Sequence, residues 1–470
     1  MLAKSKIVAT VFLIGFFFTS LTGQTAPNGI RFLSYDEAER VIRASGDEAP
    51  PELRAAGTDA KTAWNIWIRK ADHEIRARLE QGDEDSIVNL LLFGTSFTGQ
   101  PRITESQMNQ LARENSENSA QLFQTILQYR LDDFAAALVK PKDNERLRFA
   151  KAHLLKKLNV RVKTDTEKKA VKEFLIKSVR RVFNESVGFA SLIEQAKKNQ
   201  EDVFVVRSKL FSVRGLSSDT SLKPNLAIEN AIVQLKEKGF INKVLRVAIV
   251  GPGLDFTDKD EGYDFYPPQT IQPFAVIETL LKLNLADKNN LTIDTYDLSP
   301  KVNSHIAGFA AKAKRRESYA IQLPLNTKRK WTPEFIKYWE NFGNIIATQT
   351  KQAAPSNVPG IKLRSVNIRS EFLASIHAFD TNIVLQSPSL PEKDRYDLII
   401  GTNIFVYYDS FGQALAMRNL EKMLKNGGFL LSNNALIEFP FTNIHAAGYT
   451  GTIYSNQKSD ADAIIWYQKK

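Results

Sequence analysis

The chain has 470 residues, 43% of them hydrophobic and 24% charged, which is the balance of an ordinary globular protein long enough for two or three packed domains. There is no cysteine, which excludes disulfides, thiolate metal sites and a cysteine nucleophile. The formal net charge is +11, and it is unevenly spread.

Lys4 and Lys6 precede an apolar run over residues 7–18, followed by small and polar residues. That layout predicts a secretory signal, cleaved around residues 23–26, or an uncleaved N-terminal anchor. Either way the remainder is expected outside the cytoplasm, whether periplasmic, secreted or anchored facing outward. No other segment approaches 18 consecutive apolar residues, so no further span is expected.

Residues 30–214 read mainly as helices. Ser34 with Glu37 three residues on predicts a capping box. Pro50-Pro51 breaks the chain, and a helical pattern follows over 60–81. After a loop at 94–101, helices are expected over 104–139, 143–158, 165–183 and 185–199. Residues 141–181 hold fourteen Lys/Arg against five Asp/Glu. They read as solvated helix faces or as a surface for an anionic partner such as a membrane. Nucleic acid is not expected, because few aromatic residues interleave the basic ones.

The composition shifts to Gly, Ser and Asp around 214–224, which places a domain boundary before a helix at 226–238. Strands are then expected at 244–250, 291–296, 382–386, 396–402 and 428–432, alternating with helices. This predicts an α/β fold over 226–470, a doubly wound mostly parallel sheet, preceded by an all-α domain over 30–214. Residues 449–454 and 463–467 read as a C-terminal hairpin adding antiparallel strands at the sheet edge.

Three pieces carry chemistry. The first strand runs into Gly251-Pro252-Gly253, whose glycines let backbone approach a ligand at a strand's carboxyl end. The second ends in Asp297-Leu298-Ser299-Pro300, where the carboxylate either accepts hydrogen bonds from a ribose diol or caps the next helix. The third, residues 396–431, reads as strand, polar turn, amphipathic helix, Gly427-Gly428 stop and strand.

In this order the pieces resemble the class I S-adenosylmethionine-dependent methyltransferases over residues 226–470. Residues 396–431 are similar in particular to the chemotaxis receptor-glutamate methyltransferases. The resemblance implies S-adenosylmethionine as cofactor, with Gly251 and Gly253 near its methionine part and Asp297 on its ribose. It places Gln386 and Ser387 at the adenine and Thr402 at the cofactor, with Asn403, Tyr407 and Tyr408 as candidate catalytic, substrate-side residues. The sequence departs from the family at Ile249, where an acid is usual, at Asp255, where a third glycine is usual, and at Thr402, where the chemotaxis enzymes have arginine.

Two insertions are expected. Residues 256–272 are acidic and aromatic, and read as an exposed loop, a lid over the cleft or, least of all, a metal loop, since the calcium-loop spacing is not met. Residues 311–357 carry Trp331, Tyr338 and Trp339, whose expected role is packing. The five histidines are scattered, so no zinc site is expected. No G-x-S-x-G elbow or phosphate-binding P-loop is present. The expected activity is methyl transfer to an oxygen or nitrogen of a small-molecule or protein acceptor. The alternative is an exported, catalytically silent module of the same fold, with its basic helical region meeting a membrane surface or partner.

Overall fold

The computed structural model describes residues 29–55, 57–103, 117–200, 203–256, 263–350, 358–457 and 460–470. The expected leader and the first part of the helix expected over 104–139 lie outside the described residues. The chain opens with β1 (Ile30–Phe32), α1 (Tyr35–Ala44), α2 (Pro51–Arg54) and α3 (Ala60–Phe93). Next come α4 (Glu117–Val139), α5 (Glu145–Leu158), α6 (Asp165–Lys198) and α7 (Val203–Ser212). The second half begins with α8 (Lys223–Glu237), β2 (Arg246–Val250), α9 (Gln272–Lys282), β3 (Thr292–Asp297) and α10 (Pro300–Lys314). An inserted unit follows, made of β4 (Tyr319–Asn326), α11 (Pro333–Asn341), β5 (Ala347–Thr350) and β6 (Ile361–Ile368). Then come α12 (Ser370–Leu373), β7 (Ile376–Asp380), β8 (Gln386–Pro388) and β9 (Tyr396–Gly401). The chain finishes with α13 (Ser410–Met423), β10 (Leu424–Ser432), β11 (Ile444–Ile453) and β12 (Ala461–Lys469).

Local chemistry explains the helix starts. The Ser34 side chain accepts from the Glu37 N–H while the Glu37 carboxylate takes the Ser34 N–H, which is the capping box expected there. Thr164 and Glu167 do the same for α6. The two helices expected over 165–199 are one, because Asn184 sits on an exposed face where its weak propensity costs little.

The main sheet has the order β11-β12-β10-β9-β2-β3-β7. β10, β9, β2, β3 and β7 are parallel, and β12 runs antiparallel between β10 and β11. This is the doubly wound, mostly parallel sheet with a C-terminal hairpin that the sequence implies. One strand is displaced from expectation: the third is Ile376–Asp380, not 382–386. Among the described residues it is the sheet edge, paired only to β3, so it can carry His377 and Asp380. The apolar Ile383, Val384 and Leu385 are instead buried in the core that holds α13 and α1.

Alternation along the strands sorts the core into two faces. Val247, Ile249, Ile293, Leu398, Ile400 and Leu431 point toward α8, α9, α10 and the inserted unit. Ala248, Val250, Tyr296, Ile399 and Leu430 point the other way, toward α13 and the first helices. Val41, Ile42, Trp64 and Ile68 fill that second face, and the Trp64 indole N–H donates to the Leu33 carbonyl at 2.8 Å. β1 pairs antiparallel with β8. The residues expected as one helical domain over 30–214 therefore serve two cores. A further core joins the end of α3 to α4, α5 and α6 and includes Phe256.

Buried arginines tie this helical core to the sheet. Arg146 of α5 is buried, donates to the carbonyls of Asp255, Phe256 and Tyr266, and stacks near the Phe256 and Tyr266 rings. The Asp264 carboxylate accepts from the backbone N–H groups and hydroxyls of Thr95 and Ser96. The described part of the 256–272 insertion is thus a buried seam, not an exposed loop. Arg146→Met is expected to destabilise the chain by about 3 kcal/mol, since it strands buried carbonyls that now accept from a charged donor. Denaturant unfolding checks this, and an unchanged midpoint would contradict it.

Candidate functional site

Strand order reverses between β2 and β9: β3 and β7 lie to one side, β9 and β10 to the other. In open α/β sheets the carboxyl ends at such a point diverge and leave a crevice. A cleft of about 490 Å³ lies there. Its lining includes Gly251, Gly253, Asp297, Thr402, Asn403, Tyr407 and Tyr408. The opposite wall comes from Leu79 of α3, Phe211 of α7 and residues 216–221. Seven of the nine expected site residues therefore meet in one cavity.

Gln386 and Ser387 do not. They belong to β8, paired to β1, where the Gln386 carboxamide oxygen accepts from the Asn382 N–H and Ser387 takes a hydrogen bond from Lys422. The shift of the third strand by six residues moves its carboxyl end to Asp380, so Thr381 and Ile383 line the cleft in their place.

Both glycines are needed for close approach. Gly251 has φ +64°, and a Cβ there would lie 2.0 Å from Ile404 Cδ1. Gly253 has φ +70°, and a Cβ would lie 2.9 Å from the Ser218 carbonyl. Ile404 and Ser218 thus pack close to the glycine loop, and a side chain at either glycine would have to displace them.

The two readings of Asp297 separate here. The N-cap of α10 is Ser299, whose hydroxyl accepts from Val302. Asp297 instead faces the cleft, with one oxygen accepting from the Ser299 N–H at 2.7 Å. Burial pushes its carboxyl up to about 6. The Ser299 and Gly253 N–H groups and the Lys301 charge oppose that rise, and Asp380 adds to it.

Other polar atoms in the cleft lack partners. The Thr381 hydroxyl and the Gln272 carboxamide oxygen are buried and make no hydrogen bond among the described residues, although Gln272 Nε2 donates to Thr402. Unsatisfied buried groups call for an explanation, and a polar ligand is one. Asn403 has φ +58°, the left-handed region, and its side chain is paired with Asn433. Tyr408 is buried, and burial pushes its hydroxyl up to about 12. Tyr407 meets Phe211 edge-on at 5.5 Å. Arg207 lies on the same wall, its guanidinium 5.6 Å from the Phe211 ring.

Sequence reasoning missed Gln272, Thr381, Arg207 and residues 216–221. Only the Gly-Ser-Asp shift at 214–224 hinted at the last, and it reads equally as a linker. Of the acids in the 256–272 insertion, Asp264 holds Thr95 and Ser96, while Asp258, Asp260 and Glu261 lie outside the described residues.

No family model matches the sequence, and no curated protein does. Among solved structures the chain is similar to TrmN from Thermus thermophilus at 10% identity, with a TM-score of 0.24 over 53% of this chain. That overlap spans only 52% of TrmN's own length. Magnesium protoporphyrin IX methyltransferase from Synechocystis PCC 6803, with bound S-adenosylmethionine, is 9% identical with a TM-score of 0.26, over 57% of this chain and 98% of that one. CurJ carbon methyltransferase is 13% identical with a TM-score of 0.26, over 94% of this chain and all of that one. The strand order, not these overlaps, defines the fold.

Proposed function

We propose that the cleft binds S-adenosylmethionine and that the protein is a methyltransferase acting on an oxygen or nitrogen nucleophile. The observation that carries this is Asp297: a carboxylate at the end of β3, facing a cleft at the sheet's switch point, beside a glycine turn and unsatisfied polar groups. The residues fit the cofactor by type. Asp297 would hold the ribose diol, Thr381 and Gln272 would supply the missing hydrogen bonds, and Arg207 would meet the amino-acid carboxylate. When bound, S-adenosylmethionine supplies an electrophilic methyl on a sulfonium: the S–C bond breaks with its pair left on sulfur as the acceptor's bond to carbon forms, and the acceptor's proton passes to solvent. Asn403, Tyr407 and Tyr408 in the cleft lining would orient the acceptor, and the contribution of the chain is mainly position and exclusion of water.

Calorimetric titration of the full chain with S-adenosylmethionine tests this reading. Saturable binding lost in Asp297→Ala supports it; no heat at millimolar ligand sinks it. A second reading, a catalytically silent module, is favoured by the close packing of Ile404 and Ser218 against the two glycines, and the null titration is its expected result.

Export is part of the proposal and rests on the basic and apolar leader of the sequence. Among the described residues no helix is long and apolar enough to cross a membrane. A periplasmic-reporter phosphatase fused after residue 40 is expected to be active; an inactive fusion would return the protein to the cytoplasm. Exposed Lys156, Arg161, Lys163, Lys169, Lys177 and Arg180 on and between α5 and α6 would serve a membrane surface, whereas Lys157, Lys172 and Arg181 are held in ion pairs.

A further inference from the structure

Behind the Phe211–Tyr407 ring pair lies a second, smaller cavity of about 120 Å³ between α3 and α6. Phe211, Tyr407 and Ser217 wall both spaces, so the two are neighbours across one layer of side chains. Three features define what it can hold.

The first is aromatic surface: Phe93, Phe183, Phe211 and Tyr407 all face it. The second is charge balance. Its two carboxylates, Asp85 and Glu185, pair with Arg181 at 2.5 Å and 3.0 Å, and Arg214 stands 3.9 Å from Glu185. A charged ligand would find no unmatched counter-charge among these groups. The third is Asn89, a 5% exposed residue of α3 whose amide nitrogen has no hydrogen-bond partner among the described residues. A buried amide left open in this way weakens the fold, unless something else completes it. The size is also informative, since a cavity of about 150 Å³ in a protein core is filled by one benzene ring.

We propose that this compartment binds a neutral, single-ring aromatic compound carrying a hydroxyl, at a site separate from the cofactor cleft. The hydroxyl suits Asn89 because it both donates and accepts, whichever way the amide is turned. The rings of Phe183 and Phe211 supply offset or edge contacts to its faces. Ser186 and Val187, exposed on α6, mark the entrance. Binding of the ring does not rest on the cofactor reading of the adjoining cleft.

The test uses the full chain with phenol as probe, followed by ligand-observed NMR, and S-adenosylhomocysteine as a separate calorimetric probe of the cleft. Phenol is expected to bind, and benzoate to bind at least about tenfold more weakly because its charge would be desolvated without a partner. Val182→Trp fills the space and is expected to abolish phenol binding while leaving the S-adenosylhomocysteine titration unchanged. Asn89→Leu, which keeps the number of side-chain heavy atoms but removes the polar group, is expected to weaken phenol about tenfold and to raise the melting temperature, since it removes an unsatisfied amide. It carries the test if the tryptophan variant fails to fold. Absence of phenol binding, or equal binding by the unsubstituted chain and both variants, overturns the proposal. Phenol binding without S-adenosylhomocysteine binding overturns the cofactor reading and leaves the ring site standing.

Discussion

Asp297→Ala is expected to weaken S-adenosylmethionine at least about a hundredfold, because two hydrogen bonds to a carboxylate are worth about 3 kcal/mol or more together. The same carboxylate makes the binding depend on pH in a definite direction. Burial holds its folded-state pKa up at about 6, above the ordinary 3.8. Ribose hydroxyls donate, so they favour the ionised form, and affinity is expected to rise with pH through about 6, with a proton released on binding. Titrations in buffers of different ionisation enthalpy measure that proton; none released at pH 6 would remove Asp297 from the site. The effect on stability has the opposite sign. The unfolded carboxyl ionises near its ordinary value while the folded one keeps its proton to about 6, so stability falls as pH rises between the two and stays lower above. Asp297→Asn is therefore expected to melt higher than the native chain at pH 7.5 and equally at pH 3.5, while binding the ligand more weakly. That combination marks a residue kept for function.

Asp294→Ala is expected to lower the unfolding free energy by about 4 kcal/mol, a large share of a typical domain's stability. The Asp294 carboxylate is 2% exposed and collects three donors: Arg246 at 3.1 Å, His377 at 2.9 Å and the Tyr396 hydroxyl at 2.7 Å. The Tyr296 hydroxyl continues the chain, 2.5 Å from that of Tyr396. These groups come from β9, β2, β3 and β7, four neighbouring strands, so one carboxylate fixes their mutual register. Removing it leaves the Arg246 charge and buried hydroxyls without their acceptor. Urea unfolding reads the loss, and a change below about 1 kcal/mol would show that the network relaxes into water. Arg246 and Tyr396 begin their strands, whereas the cleft lies at the carboxyl ends. Protein that remains folded should therefore titrate S-adenosylmethionine as before, unlike the Asp297 variants.

The elements legible in the sequence were those whose pattern is local. Strands β2, β9 and β10 are buried on both faces and read as apolar runs, and the helix between the last two shows its period plainly. Gly251, Gly253, Asp297, Thr402 and Asn403 were legible because strand ends in a doubly wound sheet have fixed uses. The third strand was misplaced because an edge strand tolerates His377 and Asp380, while the buried segment Ile383-Val384-Leu385 imitates a strand. A strand placed at 382–386 puts the adenine-side expectation at Gln386 and Ser387, outside the cleft. The inserted sheet β4-β6-β5 left a signal in the alternation of Ile321, Leu323 and Leu325, which the surrounding charges obscured. The wall formed by Phe211 and residues 216–221 left none. Nothing local says that a Ser-rich stretch will lie across a glycine turn, since that contact exists only after α3 and α7 have docked.

The pairing of β1 with β8 has a consequence for how the molecule is made. Arg31 and Ser389, bonded to one another, are 358 residues apart in sequence. At a synthesis rate of about 5–20 residues per second, the first strand waits roughly half a minute for its partner to emerge. During that interval Val41, Ile42, Trp64 and Ile68 have no sheet to cover, because the strands they pack on lie between residues 246 and 432. The earliest part of the chain is therefore the last to be sheltered. Burial of that apolar face therefore waits on the strands of the sheet, whichever order the rest of the chain folds in.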